Sequence, residues 1–389
     1  MEQINEKQAL VYSREEISEI ILLISTDKGA FLYYSDADRK HWDVNGPHFL
    51  GSKVHHIILD HRNNRTLLAS VNTRHKGATI FISQDFGRTW EECHKPPEFP
   101  KDKINRKVNH IFTIVPGHDE EPSSWYIGTS PQGLFKSNDN GKTWKSVNGF
   151  NKNPKWEDWT SKTIDGYPKV PKLHSILINP IDRTHIYIGM SYGGIFESKD
   201  SGNTWHPLNE GIEADFLNKT KPLYGHDPHS LIFHPYQPNR IYQQNHSGIY
   251  RIDRPETKWT RIGDNMPADI GDVGFPIIVH PSDPNTIWVF PIDGNESWSR
   301  VSPDGQPALY CSQDGGATWF RQDIGLPMRN AWFTVLRKSL TVDYINQTGV
   351  YFGTTSGTLW MSDNEGNSWR QIAIHLPRII AVETGLILK

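Results

Sequence analysis

The stretch "SQDFGRTW" (Ser83–Trp90) decides the fold of this chain. Its serine and aspartate side chains are suited to bonding the backbone N–H groups of a tight turn, and its glycine can take a positive φ angle. The tryptophan that closes the stretch offers a large apolar ring for packing against a neighbouring element. The octapeptide therefore predicts a tight turn that is fastened by its own polar side chains and anchored by its aromatic ring.

The octapeptide recurs along the chain. Further copies are "SNDNGKTW" (Ser137–Trp144), "SKDSGNTW" (Ser198–Trp205), "SQDGGATW" (Ser312–Trp319) and "SDNEGNSW" (Ser362–Trp369), the last with Asn364 in the aspartate position. Two divergent copies end at Trp42 and Trp259. The copies define repeats of roughly 48 to 61 residues, a length that suits the four-stranded sheets of a β-propeller.

Between successive octapeptides the sequence predicts short β-strands. In the segment that begins at His174, "HSILINP" is an apolar strand that ends in a proline turn, "HIYIGMS" is a second strand, and "IFESKD" is a third that runs into the octapeptide. Glycine and proline turn residues bound these strands. Each repeat therefore predicts three short strands and a hairpin.

The two ends of the chain predict how the repeats are arranged. The first repeat starts at its second strand, "EIILLIS", and the C-terminal "RIIAVETG" (Arg378–Gly385) is a strand without a repeat. If this last strand joins the first repeat, the sheets form a ring without an open edge. We therefore predict an all-β fold: a single seven-bladed β-propeller domain over residues 1–389, closed by the C-terminal strand. Blade 1 takes about 18–50 plus the closing strand 376–388, and blades 2–7 take about 51–375.

The octapeptide resembles the Asp-box of the BNR repeat proteins, a sialidase-like β-propeller superfamily (WD40/YVTN/BNR-type). The resemblance covers nearly the whole chain and implies the propeller fold, with the boxes on outer-strand turns away from the axis. It also implies a glycoside hydrolase as one functional alternative. A sialidase needs three converging arginines and typically carries an Arg-Ile-Pro type motif, whereas "LPRII" (Leu376–Ile380) has the wrong order. The sequence therefore gives little support to a sialidase in particular.

The innermost strands predict a metal site at the propeller axis. Aligned on these strands, four consecutive repeats begin with a histidine and the other three with Phe275, Trp332 and Arg378. The four histidines are His56, His110, His174 and His229. Equivalent positions in a ring of repeats face the axis at one height, so four imidazoles are expected to converge, a ligand set that suits Fe, Cu or Zn. His55 adjoins His56, and strand alternation lets only one of the two point inward; the alignment favours His56. Asp60 and Glu383 are candidates to orient ligand imidazoles.

The turns and loops around the predicted mouth supply candidate substrate-handling residues. The predicted catalytic residues are His246, Tyr192 and Arg378, the last as an anchor for an anionic substrate. The predicted substrate-binding residues are Phe275, Trp332, Gln132, Tyr224 and His226. Tyr224 and His226 lie on an inserted loop, "EADFLNKTKPLYGHDPH", that also carries Asp227 and is predicted to cover the channel.

Three functional hypotheses follow from these residues. The first is a metal-dependent enzyme that uses the four-histidine centre on a small-molecule substrate, as an oxidoreductase or oxygenase or as a metal-assisted lyase or hydrolase. The second is a sialidase-like glycoside hydrolase, which requires two acidic side chains at the axis. The third is a non-catalytic binding or assembly propeller.

Composition narrows the classes of partner. The formal net charge is −3 and offers no basic field for nucleic acid. The two cysteines, Cys93 and Cys311, are too few for a disulfide scaffold and fit a reducing compartment. The first 25 residues contain neither a signal-peptide pattern nor a membrane span. We therefore expect a cytoplasmic protein with a small-molecule substrate and neither nucleic-acid nor membrane partners.

Overall fold

The fold is all-β, with a few short helical turns. The computed structural model describes residues 11–101, 105–159, 163–164, 167–168, 171–214, 222–294 and 299–389. The helical elements are α1 (Asn148–Asn151) and 3-10 turns at Arg14–Glu16, Gly263–Asn265 and Pro303–Gly305. None of the helices in the described ranges has the length and apolar character needed to cross a membrane.

Antiparallel sheets of four strands are the repeating unit of the structure. The chain opens with β1 (Ile17–Thr26), β2 (Gly29–Ser35) and β3 (Asp43–His48). Two four-stranded sheets follow. The first consists of β4 (Lys53–Leu59), β5 (Leu67–Thr73), β6 (Gly77–Ser83) and β7 (Glu91–Glu92). The second consists of β8 (His110–Pro116), β9 (Trp125–Ser130), β10 (Gly133–Ser137) and β11 (Lys145–Ser146). A two-stranded hairpin, β12 (Thr163–Ile164) and β13 (Tyr167–Pro168), precedes the next sheet.

Three further four-stranded sheets continue the pattern. The first consists of β14 (Leu173–Ile178), β15 (Ile186–Met190), β16 (Gly194–Ser198) and β17 (His206–Pro207). The second consists of β18 (Pro228–His234), β19 (Gln237–Asn245), β20 (Gly248–Asp253) and β21 (Thr260–Arg261). The third consists of β22 (Gly274–Val279), β23 (Ile287–Pro291), β24 (Leu309–Ser312) and β25 (Phe320–Gln322). The chain closes with β26 (Val335–Val342), β27 (Val350–Thr354), β28 (Leu359–Ser362), β29 (Arg370–Ala373) and β30 (Ile379–Leu388).

The first and last strands of the chain pair with each other. β30 runs antiparallel to β1, from Ile17 opposite Leu388 to Thr26 opposite Ile379. A parallel bridge between Lys338 and Ala381 connects β26 to β30, so β1–β3 and β26–β30 form one eight-stranded sheet. The predicted all-β propeller architecture is confirmed, and the C-terminal strand pairs where the sequence predicts.

The octapeptides are turns that follow the third strand of a sheet. In the copy at 198–205, the Ser198 hydroxyl donates to Asp200 Oδ1 at 2.9 Å and accepts the Gly202 N–H at 2.8 Å. Asp200 in turn accepts the backbone N–H of Thr204 at 2.8 Å and its hydroxyl at 2.7 Å. Gly202 has a φ of +87°, a conformation that other residues adopt only at a cost. The octapeptide is therefore a structural fastener, as its residue types predict.

The core lies between neighbouring sheets. One apolar cluster joins β5 and β6 to the next sheet through Leu68, Ile80, Ile111 and Trp125, and Trp144, which ends an octapeptide, completes it. Trp144 is buried. Because each octapeptide ends in a ring of this kind, the repeat supplies both the turn and the packing that joins adjacent sheets.

A buried ion pair joins the two halves of the eight-stranded sheet. Arg39, after β2, donates to both carboxylate oxygens of Asp343, at 2.8 and 2.9 Å, and the Tyr351 hydroxyl donates to the same carboxylate at 2.7 Å. Both side chains of the pair are fully buried. A paired and hydrogen-bonded buried charge is tolerated, whereas loss of one partner is strongly destabilising.

The octapeptide network generates a stability prediction for Asp139, whose carboxylate accepts from Ser137 and twice from Thr143. We expect Asp139→Ala to lower the free energy of unfolding by about 1 to 2 kcal/mol, because three hydrogen bonds are lost in a partly exposed turn. Asp139→Asn is the matched control, since Asn364 makes the equivalent bonds through its own amide. We expect it to cost less than about 0.5 kcal/mol. Urea unfolding of the two variants tests this, and equal losses would contradict it.

Candidate functional site

A cavity of about 470 Å³ opens where the innermost strands of the sheets begin. Six of the described residues that line it are cations: Lys53, Lys172, Arg300, Arg337, Lys338 and Arg378. Asp227 is the one carboxylate among the described lining residues. The lining therefore carries a large excess of positive charge, although the whole chain has a net charge of −3.

Two of the cations that line the cavity rest on aromatic rings. Lys172 Nζ lies 5.3 Å from the ring centroid of Phe112, and the Arg337 guanidinium lies 5.0 Å from that of Phe275. Arg337 Nε is buried and has no hydrogen-bond partner within the described part of the chain. Burial, together with the nearby Arg337 charge, lowers the pKa of Lys172 to about 8. Cations held in this way are stabilised by an anion that enters the cavity.

Three metal-ligating side chains meet at one side of the cavity. Asp227 precedes β18, His229 lies at the start of β18, and His246 follows β19, so one sheet positions all three. Asp227 Oδ2 is 3.7 Å from His229 Nε2 and 4.0 Å from His246 Nδ1. The His246 backbone N–H donates to the Asp227 carbonyl at 2.9 Å, which fixes the distance between the two segments.

The hydrogen bond at the far side of the His229 ring fixes its orientation. Nδ1 lies 2.6 Å from the Gly274 carbonyl oxygen, which can only accept, so Nδ1 donates and the Nε2 lone pair of a neutral ring faces Asp227. Burial and the Arg337 charge lower the pKa of His229, although Asp227 acts in the opposite direction. Burial raises the pKa of Asp227, but the hydrogen bond and charge of His229, with Arg337, hold it well below its usual range. Burial and Arg337 thus act against a proton on His229, whereas the low pKa of Asp227 depends first on a hydrogen bond that only a protonated Nε2 donates.

Tyr192 reaches the same cavity from the preceding sheet. It lies in the turn between β15 and β16 with a φ of +61°, and its backbone N–H donates to Asp227 Oδ1 at 3.3 Å. A bulky residue in the left-handed region is strained, and such strain is concentrated at functional sites. The cavity therefore brings together Tyr192, His246 and Arg378, the three residues predicted to be catalytic. Their catalytic role stays a prediction.

β-Bulges shift the register at the start of four innermost strands, and in three of them the bulged residue lines the cavity. At the start of each of β4, β8, β14 and β18, one residue is left out of the pairing with the second strand. These residues are His55, Phe112, His174 and His229. An alignment on the histidines is thus displaced by one residue in β4 and by two in β8. His55 lines the cavity and His56 does not, so the preference for His56 is wrong.

The predicted four-histidine centre is wrong, because hydrogen bonds hold its members apart. His56 lies beside Glu383, with Nε2 2.8 Å from Oε1, and its Nδ1 accepts the Ile114 N–H. His174 is buried with Nε2 2.7 Å from the Pro228 carbonyl oxygen. His110 lines the cavity, but its Nδ1 bonds the Asn72 amide at 2.8 Å. In the described ranges, the one group of metal-ligating residues contains His229 alone of the four.

Glu383 orients His56, as the sequence suggests, while Asp60 pairs with Arg62 at 2.7 Å instead.

The predicted substrate-binding residues divide into two groups. Phe275 lines the cavity and contacts the His229 ring, with centroids 4.8 Å apart. Trp332 is 60 % exposed, precedes β26 and is not part of the lining. Gln132 and His226 are buried outside the lining, and Tyr224 packs against an apolar cluster between two sheets. For these four residues the predicted placement at the mouth is wrong.

The sequence patterns did not predict Lys172 or Arg337 as site residues. They placed Asp227 only on the loop that was predicted to cover the channel. Arg337 and Lys338 interrupt the innermost-strand segment "WFTVLRK". Two adjacent cations in such a strand are a usable signal, because a charge is placed in a buried strand only where a partner or a ligand offsets its desolvation. Lys172 lies just before His174 and offers no comparable pattern.

Comparisons with known proteins place the chain among β-propellers. A family model described as "DUF6242 beta propeller domain" matches residues 21–295. The chain is 24% identical over 270 residues to the oligoxyloglucan-reducing end-specific xyloglucanase of Emericella nidulans, covering 63% of this chain and 31% of that protein. It is 24% identical over 268 residues to the probable oligoxyloglucan-reducing end-specific xyloglucanase of Neosartorya fischeri, covering 62% and 30%. The chain thus spans less than a third of the length of these curated relatives.

A solved structure is similar over most of the chain. The crystal structure of the GH74 xyloglucanase from Xanthomonas campestris superimposes with a TM-score of 0.61 at 15% sequence identity. The match covers 92% of this chain and 53% of the other. At this level of identity the likeness is one of fold.

The lowered pKa of Lys172 generates a pH prediction for anion binding. Lys172 faces Arg337, Arg300, Lys53 and Asp227, and it is a cation below a pKa of about 8. We expect the affinity of the cavity for sulfate to fall by roughly fivefold from pH 7 to pH 9, as one favourable charge is lost. In Lys172→Met the affinity should be lower and nearly constant over this range. Calorimetric titration at several pH values measures it, and an unchanged pH profile in the variant would refute the assignment.

Proposed function

The chain belongs to the DUF6242 β-propeller family, and from that premise we propose that its cavity binds an acidic saccharide and that the protein is a glycoside-cleaving enzyme. The observation that carries the proposal is the charge of the cavity, with six cations and one carboxylate among its described lining residues. A site with this excess of positive charge selects a ligand that carries carboxylate or phosphate groups.

The relatives indicate the saccharide part of this ligand. The names of two curated relatives describe them as xyloglucanases, and a structural neighbour carries the same description. These names favour glycoside chemistry over the oxidoreductase hypothesis. The cationic lining of this chain favours an acidic saccharide over a neutral one, so the proposed substrate differs in charge from a neutral glucan.

Arg337 is the residue best suited to hold an acid group. A guanidinium offers two parallel N–H donors to one carboxylate, and Arg337 is held in place by the Phe275 ring below it. Lys172 and Arg378 add charge on the same cavity. Phe112 and Phe275 provide apolar surface for the carbon face of a sugar ring.

Asp227 is the proposed catalytic carboxylate. Its pKa is held low by His229 and Arg337 against the effect of burial, so it is ionised at neutral pH. An ionised carboxylate stabilises the positive charge that develops on a sugar ring during glycoside cleavage, or serves as base or nucleophile. His246, with its side chain 25 % exposed beside Asp227, is the proposed proton donor to the leaving group.

A second candidate function, binding without cleavage, is favoured by one observation. Glycoside hydrolases usually place two carboxyl groups about the scissile bond, whereas the described lining holds Asp227 alone. Both candidate functions require binding of the same acidic saccharide, but only the enzyme cleaves it.

We also infer that the sheets form a closed ring of seven blades. Five four-stranded sheets and an eight-stranded sheet are described, and the latter divides into β26–β29 and a unit of β30 with β1, β2 and β3. The β1–β30 pairing supports closure by the C-terminal strand.

Binding of an acidic saccharide is the first test. We expect an oligogalacturonide to bind measurably in calorimetric titration and a neutral xyloglucan oligosaccharide to bind at least tenfold more weakly. Arg337→Met should weaken binding of the acidic ligand by roughly 10- to 100-fold, because charge-assisted hydrogen bonds are lost. Arg88→Met, at an exposed octapeptide position, is the matched control and should bind as the wild type does. Equal binding of both saccharides, unaffected by Arg337→Met, would exclude the proposed ligand.

Turnover distinguishes the two candidate functions. For a glycoside-cleaving enzyme we expect release of new reducing ends from an acidic oligosaccharide, and a loss of about 100-fold or more in kcat for Asp227→Asn, because the charge at the reacting centre is removed. The asparagine is nearly isosteric, so circular dichroism should be unchanged. Binding without release of reducing ends by the wild type would favour the non-catalytic function.

A further inference from the structure

Three lone-pair donors converge at Asp227, His229 and His246. One ligand atom from each lies within 4.8 Å of the others, and the two distances to Asp227 Oδ2 are 3.7 and 4.0 Å. Ligand atoms about 2.1 Å from a tetrahedral ion lie about 3.4 Å from one another. Small side-chain rotations are therefore enough to bring the three atoms into coordination distance.

In this cluster two hydrogen-bond acceptors face each other, the Asp227 carboxylate and the Nε2 atom of a neutral His229 ring. His229 donates through Nδ1 to the Gly274 carbonyl oxygen, so its Nε2 lone pair faces the carboxylate of Asp227. Two lone pairs that face each other in a buried site need a positive species between them, either a proton on the ring or a metal ion.

The surrounding contacts resemble those that orient metal ligands. A ligating imidazole usually donates its other N–H to a backbone carbonyl, which His229 does at 2.6 Å. A ligating carboxylate is usually hydrogen-bonded through its second oxygen, and Asp227 Oδ1 accepts the Tyr192 N–H at 3.3 Å. The ligand atoms are thus held before an ion enters.

We propose that Asp227, His229 and His246 bind one divalent transition metal ion of the Zn²⁺ class, with a fourth position open to the cavity. Two imidazoles and one carboxylate are a set that suits Zn²⁺, Fe²⁺ or Co²⁺ in preference to Mg²⁺ or Ca²⁺. The set replaces the four-histidine centre predicted from the sequence and shares His229 with it.

The cations that line the cavity imply that metal binding and anion binding at this site affect each other. Arg337 lines the same cavity as Asp227, His229 and His246, so its positive charge opposes a bound cation. An oxyanion in the open position offsets that repulsion. Metal and anion therefore bind with positive coupling, and each raises the affinity of the other by the same factor. This proposal does not rest on the proposed saccharide chemistry, because metal binding is measured without a saccharide. While the ion is bound, Asp227 and His246 are its ligands and do not act as the catalytic carboxylate and the proton donor, so the two assignments describe alternative states of the cluster.

The test is titration of the full chain with Zn²⁺ and with Co²⁺ after dialysis against a chelator. We expect one equivalent to bind and Co²⁺ to give the visible absorption of a low-coordinate site. His246→Ala and Asp227→Asn should each weaken Zn²⁺ binding by at least 10- to 100-fold. His110→Ala, which lines the same cavity outside the cluster, is the matched control and should bind as the wild type does.

Two readouts separate a metal site from a merely structural cluster. Arg337→Met should bind Zn²⁺ more tightly than the wild type, by roughly fivefold, since an opposing charge is removed. Sulfate should strengthen Zn²⁺ binding to the wild type.

A folded wild type that takes up no stoichiometric Zn²⁺ or Co²⁺, or a His246→Ala variant that binds like the wild type, overturns the proposal. So does ¹⁵N NMR if addition of Zn²⁺ leaves the ring nitrogen resonances of His229 and His246 unchanged. Metal binding without saccharide binding would overturn the proposed function alone, and saccharide binding without metal uptake would overturn this inference alone.

Discussion

The pairing of β1 with β30 is the constraint on which the rest of the structure depends. The two ends of the chain lie in one sheet, with partners from Ile17 and Leu388 to Thr26 and Ile379. The fully buried Arg39–Asp343 pair ties the same sheet together from a second direction. The same sheet contains β26, whose Leu336, Arg337 and Lys338 line the cavity.

The β-bulges at the starts of the innermost strands influence which side chains line the cavity. Each of β4, β8, β14 and β18 leaves one residue unpaired at its start, and this re-aims the side chains that follow. The octapeptides repeat the same hydrogen-bonded turn from sheet to sheet, whereas the residues at the bulges differ. A repeated frame with variable inner positions is how a cavity of strong positive charge arises in a chain whose net charge is −3.

The sequence predicts the fold well because its signal is local and repeated. Ser, Asp, Gly and Trp at fixed spacing require one turn geometry, and the C-terminal strand is recognisable as a strand without a repeat. The site was harder to predict because a bulge has no clear mark in the sequence. The histidine alignment therefore placed His56 and His110 in a column that the structure gives to His55 and Phe112. The predicted placement of Trp332 at the mouth was wrong for a similar reason, because Trp332 lies before β26 and not within it.

Repeat symmetry correctly placed the turn residues Tyr192 and His246 at the cavity, but it failed for Gln132 in the equivalent turn. Arg337 depends on tertiary context, because its position follows from how β26 packs at the axis. The central claim is that this mouth is the ligand site, and a crystal structure grown with Zn²⁺ and an acidic disaccharide tests it most directly. The account predicts an anomalous peak between Asp227, His229 and His246 and a sugar carboxylate on Arg337. A saccharide bound only on the outer strands, with no peak at the mouth, would contradict it.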